Sequence, residues 1–206
     1  MAITFYSSPR SSASPVAFAL AELGVEHETI NFDLRNGDAH KQPDYLKINP
    51  MGQVPALVDD GQAMFESSAC IIHLGEKYGA ERGLWPPPGS SGHMQALTWM
   101  AWTAVTLGHA LRQGLSNHEW TPEALRSPAL AAAGKEQFGK LLAMIDDRLA
   151  SRTYILGDDF SLVDCFVGAS VAWGTGVLEF DVSTTPNIGP WLGRCMAREG
   201  AKAMGL

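Results

Sequence analysis

Serine hydroxyls crowd one short stretch near the start of the chain. The segment "YSSPRSSASP" (6–15) holds five serines, one arginine and two prolines between an apolar run and a helix-like run. Such a cluster is a flexible connector, a phosphate cradle, or a place where a hydroxyl takes part in chemistry. The stretch lacks the GxxxxGK pattern of a P-loop and the chain is acidic, so a phosphate cradle is disfavoured.

A valine–proline step stands where a strand is predicted to begin, in "NPMGQVPALV" (49–58). Proline restricts Val54 to extended backbone, and Pro55 itself lacks a donor for the ladder. A cis bond there would leave the N–H and C=O of Val54 free to pair with a peptide-like ligand. The alternative is a strand-edge proline in an ordinary loop, and the motif alone does not separate the two.

A second polar motif opens a predicted helix, in "FESSACIIHL" (65–74). The free amides and the dipole of a helix N-terminus attract a carboxylate, and Ser67 stands at that end. Glu66 beside it is able to accept an ammonium group. Together they suit an amino-acid head group, which carries both charges, whereas the simpler interpretation is plain helix capping by Ser67.

The motif "GDDFSLVDCF" (157–166) is interpreted as a folding element. Ser161 and Asp164 have the spacing of a capping box in its aspartate variant. Phe160 and Cys165 have the spacing of a hydrophobic staple. We therefore do not take Asp164 for a catalyst.

The first part of the chain predicts the element order β-α-β-α-β-β-α over about 78 residues. A strand in "AITFY" (2–6) is followed by a helix in which Ser14 is the expected N-cap and Gly24 the stop. "HETINFDL" alternates as a strand does, and "VPALVDDGQAMF" indicates two strands joined by an Asp-Asp-Gly turn. "SSACIIHLGEKYG" indicates a closing helix.

Beyond residue 79 the strand signals almost vanish. A breaker-rich stretch (80–92) is the natural domain boundary, and all six tryptophans lie at or beyond it. The remaining helix-periodic segments are 93–115, 127–151, 161–178 and 188–204. The predicted organisation is an α/β domain (1–79), a linker (80–92) and an all-α domain (93–206).

Composition excludes several classes of function. The net charge of −7 and pI near 5.3 disfavour a nucleic-acid partner, which requires a basic patch. No run approaches the roughly 18–20 apolar residues of a membrane helix, and the start lacks a secretory signal pattern. The three cysteines are odd in number and form no CxxC pair, so reduced thiols in a cytoplasmic protein are expected.

The chain as a whole resembles the cytosolic glutathione transferases from about residue 2 to 200, nearest the serine-type theta, phi and zeta group. The matching motifs are "NPMGQVPALVDDG…FESSACIIHLGEKYG", "YILGDDFSLVDCFVGASV" and "TPNIGPWLGRC". The resemblance implies a thioredoxin-like N-terminal domain, an all-helical C-terminal domain that contributes the electrophile site, and a homodimer. It also implies glutathione as co-substrate, no metal, and a role in detoxification.

The resemblance carries over to individual glutathione-binding residues. Val54 would face the cysteinyl backbone of glutathione, with Pro55 as the cis proline. Glu66 and Ser67 would hold the γ-glutamyl group, in agreement with the charge argument above. Gln53 is an additional expected contact.

Two residues in "DAHKQPDYL" match a more variable part of the family pattern. His40 and Lys41 stand where several serine-type classes bind the glycyl carboxylate. The alternative is a solvated loop. Tyr6 is a candidate for a phenolic donor, and a packed aromatic ring is the competing interpretation.

The serines of the first loop can be ranked by the same resemblance. Ser11 falls on the position of the catalytic serine, and Ser12 is the runner-up. Ser7 and Ser8 are expected to shape the turn. Ala13 replaces the cysteine of the zeta signature "SSCS", which argues against maleylacetoacetate-type isomerisation.

A catalytic serine would donate a hydrogen bond to the sulfur of glutathione and so favour its thiolate. The predicted reaction is thiolate attack on a small hydrophobic electrophile. Trp102, Thr106 and His109 recur at helical spacing and are candidates for the electrophile site, with core packing or a dimer interface as alternatives. The competing functions are a glutathione-dependent isomerase, reductase or dehalogenase, and a non-catalytic glutathione-binding protein.

Overall fold

The computed structural model describes residues 3–205; Ala2, where the first predicted strand begins, lies outside the described residues, as do Met1 and Leu206. The chain forms two compact units, Met1–His93 together with Met196–Leu206, and Met94–Cys195. The segment after Cys195 thus belongs to the first unit, whereas the sequence pattern groups it with the helical domain.

The first unit is built on a four-stranded sheet of order β2-β1-β3-β4. β1 is parallel to β2 and antiparallel to β3, which is antiparallel to β4. A parallel pair needs a crossover, and helix α1 supplies it. The elements follow the predicted order: β1 Ile3–Ser7, α1 Ser14–Leu23, β2 His27–Asn31, α2 Pro43–Leu46, β3 Ala56–Asp59, β4 Gln62–Phe65 and α3 Ser67–Leu74.

Shorter helical turns complete this unit. A 3-10 helix (Ala39–Lys41) precedes α2, a π-helical turn (Gly75–Gly79) continues α3, and a 3-10 turn (Ala80–Arg82) follows it. The turn between β3 and β4 is the predicted one. Asp60 and Gly61 both have positive φ, 49° and 78°, as a two-residue hairpin turn requires.

The two ends of α1 differ in how well their residues were predicted. Gly24 ends the helix as expected, in the left-handed region with φ 60°, and its N–H donates to the C=O groups of Leu20 and Ala21. The prediction that Ser14 is the N-cap is wrong: Ala13 holds that position without a side-chain cap. The buried Ser14 hydroxyl instead donates to the C=O of Met204 at 3.2 Å, a tertiary contact that local spacing does not reveal.

The rest of the chain is helical: α4 Ser91–Trp102, a π-helical segment Thr103–Leu107, α5 Gly108–Gly114, α6 Pro128–Leu149, α7 Leu162–Val177 and α8 Ile188–Met196, with 3-10 turns at Leu115–Asn117, Glu123–Leu125 and Glu199–Met204. The single helix predicted over 93–115 is therefore interrupted, and the one predicted over 188–204 is divided. Within residues 3–205, no helix combines the length and apolar character needed to cross a membrane.

The capping box at the start of α7 is present as predicted. Asp164 is fully buried and accepts hydrogen bonds from the N–H and hydroxyl of Ser161, the N–H of Ile155 and the indole of Trp191. Desolvation raises the pKa of Asp164, while these hydrogen bonds oppose the rise. All of its carboxylate contacts join α7 to neighbouring segments of the second unit, which supports a role in folding.

Candidate functional site

The peptide bond between Val54 and Pro55, just before β3, is cis, in agreement with the expectation for this motif. Val54 is buried, and its C=O accepts a hydrogen bond from the Ser12 hydroxyl at 2.7 Å. In the part of the chain that the structure describes, no group pairs with the Val54 N–H. That backbone donor is therefore available to an extended ligand.

Two residues that sequence reasoning missed hold the segment in front of Val54. The hydroxyl of Tyr45 and the side-chain amide of Asn49 both donate to the C=O of Gln53, at 2.5 and 2.7 Å. Burial raises the pKa of Tyr45 to about 12, so its phenol remains a donor at neutral pH. The Gln53 side chain itself is exposed. The motif "NPMGQ" contains Asn49, but nothing in the motif predicts that the Asn49 side chain bonds to the C=O of Gln53.

The start of α3 has a strained backbone and unpaired amides. Glu66, with φ 71° and ψ 124°, occupies a region that non-glycine residues seldom adopt, and its exposed side chain does not cap the helix. Ser67 does not cap the helix either; its hydroxyl donates to the C=O of Ser12 at 2.6 Å. The N–H groups of Ser67 and Ser68 pair with no group among residues 3–205. A carboxylate ligand suits these amides.

The two candidate serines have different surroundings. The hydroxyl of half-buried Ser11 donates to the C=O of Ser8 at 2.6 Å and accepts from the N–H of Ala13 at 3.1 Å. Its hydrogen bonds are thus used within the loop. Ser12 is exposed, and its hydroxyl reaches Val54. Of the two hydroxyls, only that of Ser12 contacts the cis-proline segment.

The remaining candidates of this unit lie around an aromatic cluster. The Tyr6 ring packs against Phe32 and Tyr45, with centroids 5.9 and 5.2 Å apart, which favours the packed-aromatic interpretation. His40 is 6% exposed, and its Nδ1 has no hydrogen-bond partner among the described residues. Lys41 beside it is exposed.

Comparison with known proteins places the chain in a family. Residues 11–77 match the family model of the glutathione S-transferase N-terminal domain, and residues 104–199 match that of the C-terminal domain. The chain belongs to the glutathione S-transferase family. This membership confirms the predicted fold and the predicted class of enzyme, a glutathione transferase.

Individual relatives agree with this assignment. The chain is 33% identical to glutathione S-transferase 3 of Zea mays over 179 residues, covering 79% of this chain and 73% of the relative. It is 32% identical to glutathione S-transferase hmp2 of Hypomyces subiculosus, covering 97% and 95%. A sphingomonad glutathione S-transferase structure, complexed with glutathione, matches with a TM-score of 0.84 at 26% identity, covering 98% and 96%.

The electrophile-site candidates of this family member lie in the second unit. The Trp102 ring meets Trp99 edge-on at 5.1 Å, while Thr106 and His109 are exposed. The π-helical segment Thr103–Leu107 lies between Trp102 and His109. Because a π turn contains more residues than an α turn, the uniform α-helical spacing used in the prediction does not hold across it.

No described residues form a cluster of three or more His, Cys, Asp or Glu side chains suited to a metal ion. All three cysteines are buried, including Cys70 in α3.

Proposed function

We propose that this transferase binds glutathione along Val54 and the start of α3, and that the Ser12 hydroxyl holds the sulfur as a thiolate. The observation that carries the proposal is the 2.7 Å hydrogen bond from the exposed Ser12 hydroxyl to the C=O of Val54. A cysteinyl residue paired with the Val54 backbone would bring its sulfur within reach of the same hydroxyl.

Each part of glutathione has a chemically matched group in this proposal. The Val54 N–H and C=O pair with the cysteinyl amide in the manner of a β-strand. The Glu66 carboxylate accepts from the γ-glutamyl ammonium, and the amides of Ser67 and Ser68 hold its carboxylate. His40 and Lys41 receive the glycyl carboxylate, and Gln53 adds a contact. The proposed glutathione-binding residues are therefore His40, Lys41, Gln53, Val54, Pro55, Glu66 and Ser67.

Thiolate formation follows from hydrogen bonding and position. A free thiol has a pKa of about 8.5 and is mostly protonated at neutral pH. When glutathione binds, the Ser12 hydroxyl exchanges the neutral C=O of Val54 for a charged sulfur, and hydrogen bonds to charged acceptors are about twice as strong. The N-terminus of α1, which begins at Ser14, favours negative charge in the same place. Ser12 remains a donor and never becomes the nucleophile.

Ser11, the first choice from chain position, takes a supporting role in this account. Its hydroxyl connects Ser8 and Ala13 and so shapes the loop that presents Ser12. Because the proposed donor is a serine, we assign the enzyme to the serine-type group, nearest to theta, phi and zeta relatives. Alanine at position 13 favours conjugation as the reaction.

The second substrate is a small hydrophobic electrophile, for which we propose Trp102, Thr106 and His109 of the helical unit as contacts. The large aromatic surface of Trp102 suits an apolar group, and the exposed His109 is able to donate to a developing charge. We also assign the enzyme a cytoplasmic role in detoxifying such compounds, because its three cysteines are odd in number and form no CxxC pair, as expected of reduced thiols.

We also propose a homodimer, supported by exposed apolar side chains on α4 and on the π-helical segment that follows it. Met94 and Val105 are 69% and 67% exposed, and Ala101 between them is exposed as well. Large apolar side chains that are left exposed are the kind of surface that an interface between two copies would cover. We infer that a second copy of this chain covers this surface.

The role of Ser12 is tested by comparing Ser12→Ala with Ser11→Ala in turnover of a model aryl halide. Loss of a hydrogen bond to a charged group costs about 1.5–3 kcal/mol, so Ser12→Ala should lower kcat/KM by about ten- to hundredfold. Ser11→Ala should retain most of the activity. The assignment is wrong if Ser12→Ala turns over like the natural enzyme while Ser11→Ala does not.

A further inference from the structure

A buried carboxylate stands at the end of β3, away from the groups assigned to glutathione. The Asp59 side chain is 1% exposed, and its Oδ2 lies 2.7 Å from Nε2 of His73 and 2.8 Å from Nζ of Lys77. The hydroxyl of Tyr78 lies 3.0 Å from both carboxylate oxygens. Three side chains thus converge on one strand residue, and all three come from the end of α3 or the π turn after it.

The carboxylate is ionised in this setting. Desolvation alone would raise the pKa of Asp59, but hydrogen bonds from Lys77, His73 and Tyr78 outweigh it and leave the pKa below its ordinary value. A buried charge persists only when several partners compensate for lost water. The cluster is therefore a fixed connection between β3 and the end of α3.

Helix α3 is connected to the rest of its unit at both ends. At its start, the Ser67 hydroxyl donates to the C=O of Ser12. At its other end, His73 and Lys77 bond to Asp59. The distance along the helix axis from Ser67 to His73 is about 9 Å at 1.5 Å per residue. A short helix held at two such points has little freedom to shift or rotate against β3.

This connection bears on the glutathione site, because Val54 lies just ahead of β3 and Glu66 lies just ahead of α3. We propose that Asp59 is a positioning residue: by holding α3 against β3, it keeps Glu66 at the separation from Val54 that one glutathione molecule spans. The inference rests on the proposed function. Asp59 itself touches no substrate in this account.

Asp60→Asn is a matched control for Asp59→Asn, because it removes the same charge from the neighbouring residue. The Asp60 carboxylate also accepts from Lys77, at 2.9 Å, but it is 47% exposed and has no bond to His73 or Tyr78. An exposed ion pair contributes little to structure. Asp60→Asn therefore removes one bond to Lys77 without releasing α3.

The test is steady-state kinetics with glutathione varied at saturating aryl halide, and the reverse, for Asp59→Asn and Asp60→Asn. In Asp59→Asn we expect the KM for glutathione to rise about tenfold, since small displacements of binding groups are costly. The kcat and the KM for the aryl halide should stay within about twofold. Asp60→Asn should match the natural enzyme in all three.

A merely structural role gives a different result. Lower stability reduces the fraction of active enzyme, which lowers the apparent kcat and leaves the KM for glutathione unchanged. That outcome in Asp59→Asn overturns the inference. If Asp59→Asn does not fold, Tyr78→Phe removes one donor and keeps the carboxylate paired with Lys77. Its glutathione KM should rise about fivefold, the effect of losing one hydrogen bond to the carboxylate, and a KM that stays within about twofold of the natural value contradicts the proposal.

Glu66→Gln separates failure of this inference from failure of the proposed site. If Glu66→Gln raises the glutathione KM and the Asp59 and Tyr78 variants do not, the positioning role is wrong and the site stands. If none of these variants changes that KM, glutathione does not bind between Val54 and α3, and both proposals are wrong.

Discussion

At the residue scale, neighbouring serines acquire different tasks from the path of the backbone. Arg10, just before them, has a positive φ of 54°, and the loop turns so that Ser11 bonds within it while Ser12 reaches Val54. Residue type and chain position do not distinguish the two hydroxyls, because the distinction depends on where a strand more than forty residues away passes. Sequence reasoning named the pair and ranked Ser11 first, whereas our proposal, which rests on the bond from Ser12 to Val54, reverses that order.

Cys70 supplies a prediction at the same scale. Burial raises the pKa of its thiol to about 12, and the nearby Glu66 charge acts in the same direction. Because the thiolate is the reactive form, Cys70 should resist an alkylating reagent at pH 7.5 in the native protein and react once the chain is unfolded. Mass spectrometry of the labelled peptide measures this. Rapid native labelling would contradict the burial of Cys70.

At the element scale, sequence signals located elements better than their ends and interruptions. Gly24 and Gly61 correctly marked a helix end and a hairpin turn. Both positions require a positive φ, and this requirement is local to the residue itself. Ser14 failed as an N-cap because its hydroxyl bonds to Met204, a contact made by the fold. The π segment after α4 was missed since hydrophobic periodicity assumes uninterrupted α-helical turns.

The apolar surface of α4 and its π extension carries a prediction about assembly. A glutamate at position 105 would place a charge in the proposed dimer interface, so Val105→Glu should shift the mass in solution from twice 22.1 kDa toward 22.1 kDa. Light scattering coupled to gel filtration gives the mass. Leu125→Glu is the control, because Leu125 is similarly exposed (71%) but lies on a separate 3-10 turn. A natural protein that is already monomeric would contradict the proposal.

At the scale of the whole molecule, the candidate site combines local motifs with long-range contacts. The candidate motifs around Val54 and Glu66 could be selected from sequence, because each is a contiguous stretch whose residue types suggest a chemical role. The bonds that hold them could not, since Tyr45 to Gln53 and Lys77 to Asp59 are contacts made by the fold.

At the end of the chain, too, a contact made by the fold could not be predicted from sequence. Arg198 bonds through two nitrogens to Glu22 of α1, and this contact helps hold the last segment on the first unit. Helical periodicity assigned residues 93–206 to one domain, because the pattern of a segment records which of its faces is apolar and not which neighbour covers that face.

The most direct test of the central claim is the pKa of the glutathione thiol on the enzyme, followed by thiolate absorbance across a pH titration. In the natural enzyme we expect this pKa to lie well below the solution value of about 8.5, and in Ser12→Ala to return by one unit or more, roughly 1.4 kcal/mol of lost thiolate stabilisation. An unchanged thiol pKa in Ser12→Ala, with glutathione still bound, would contradict the account.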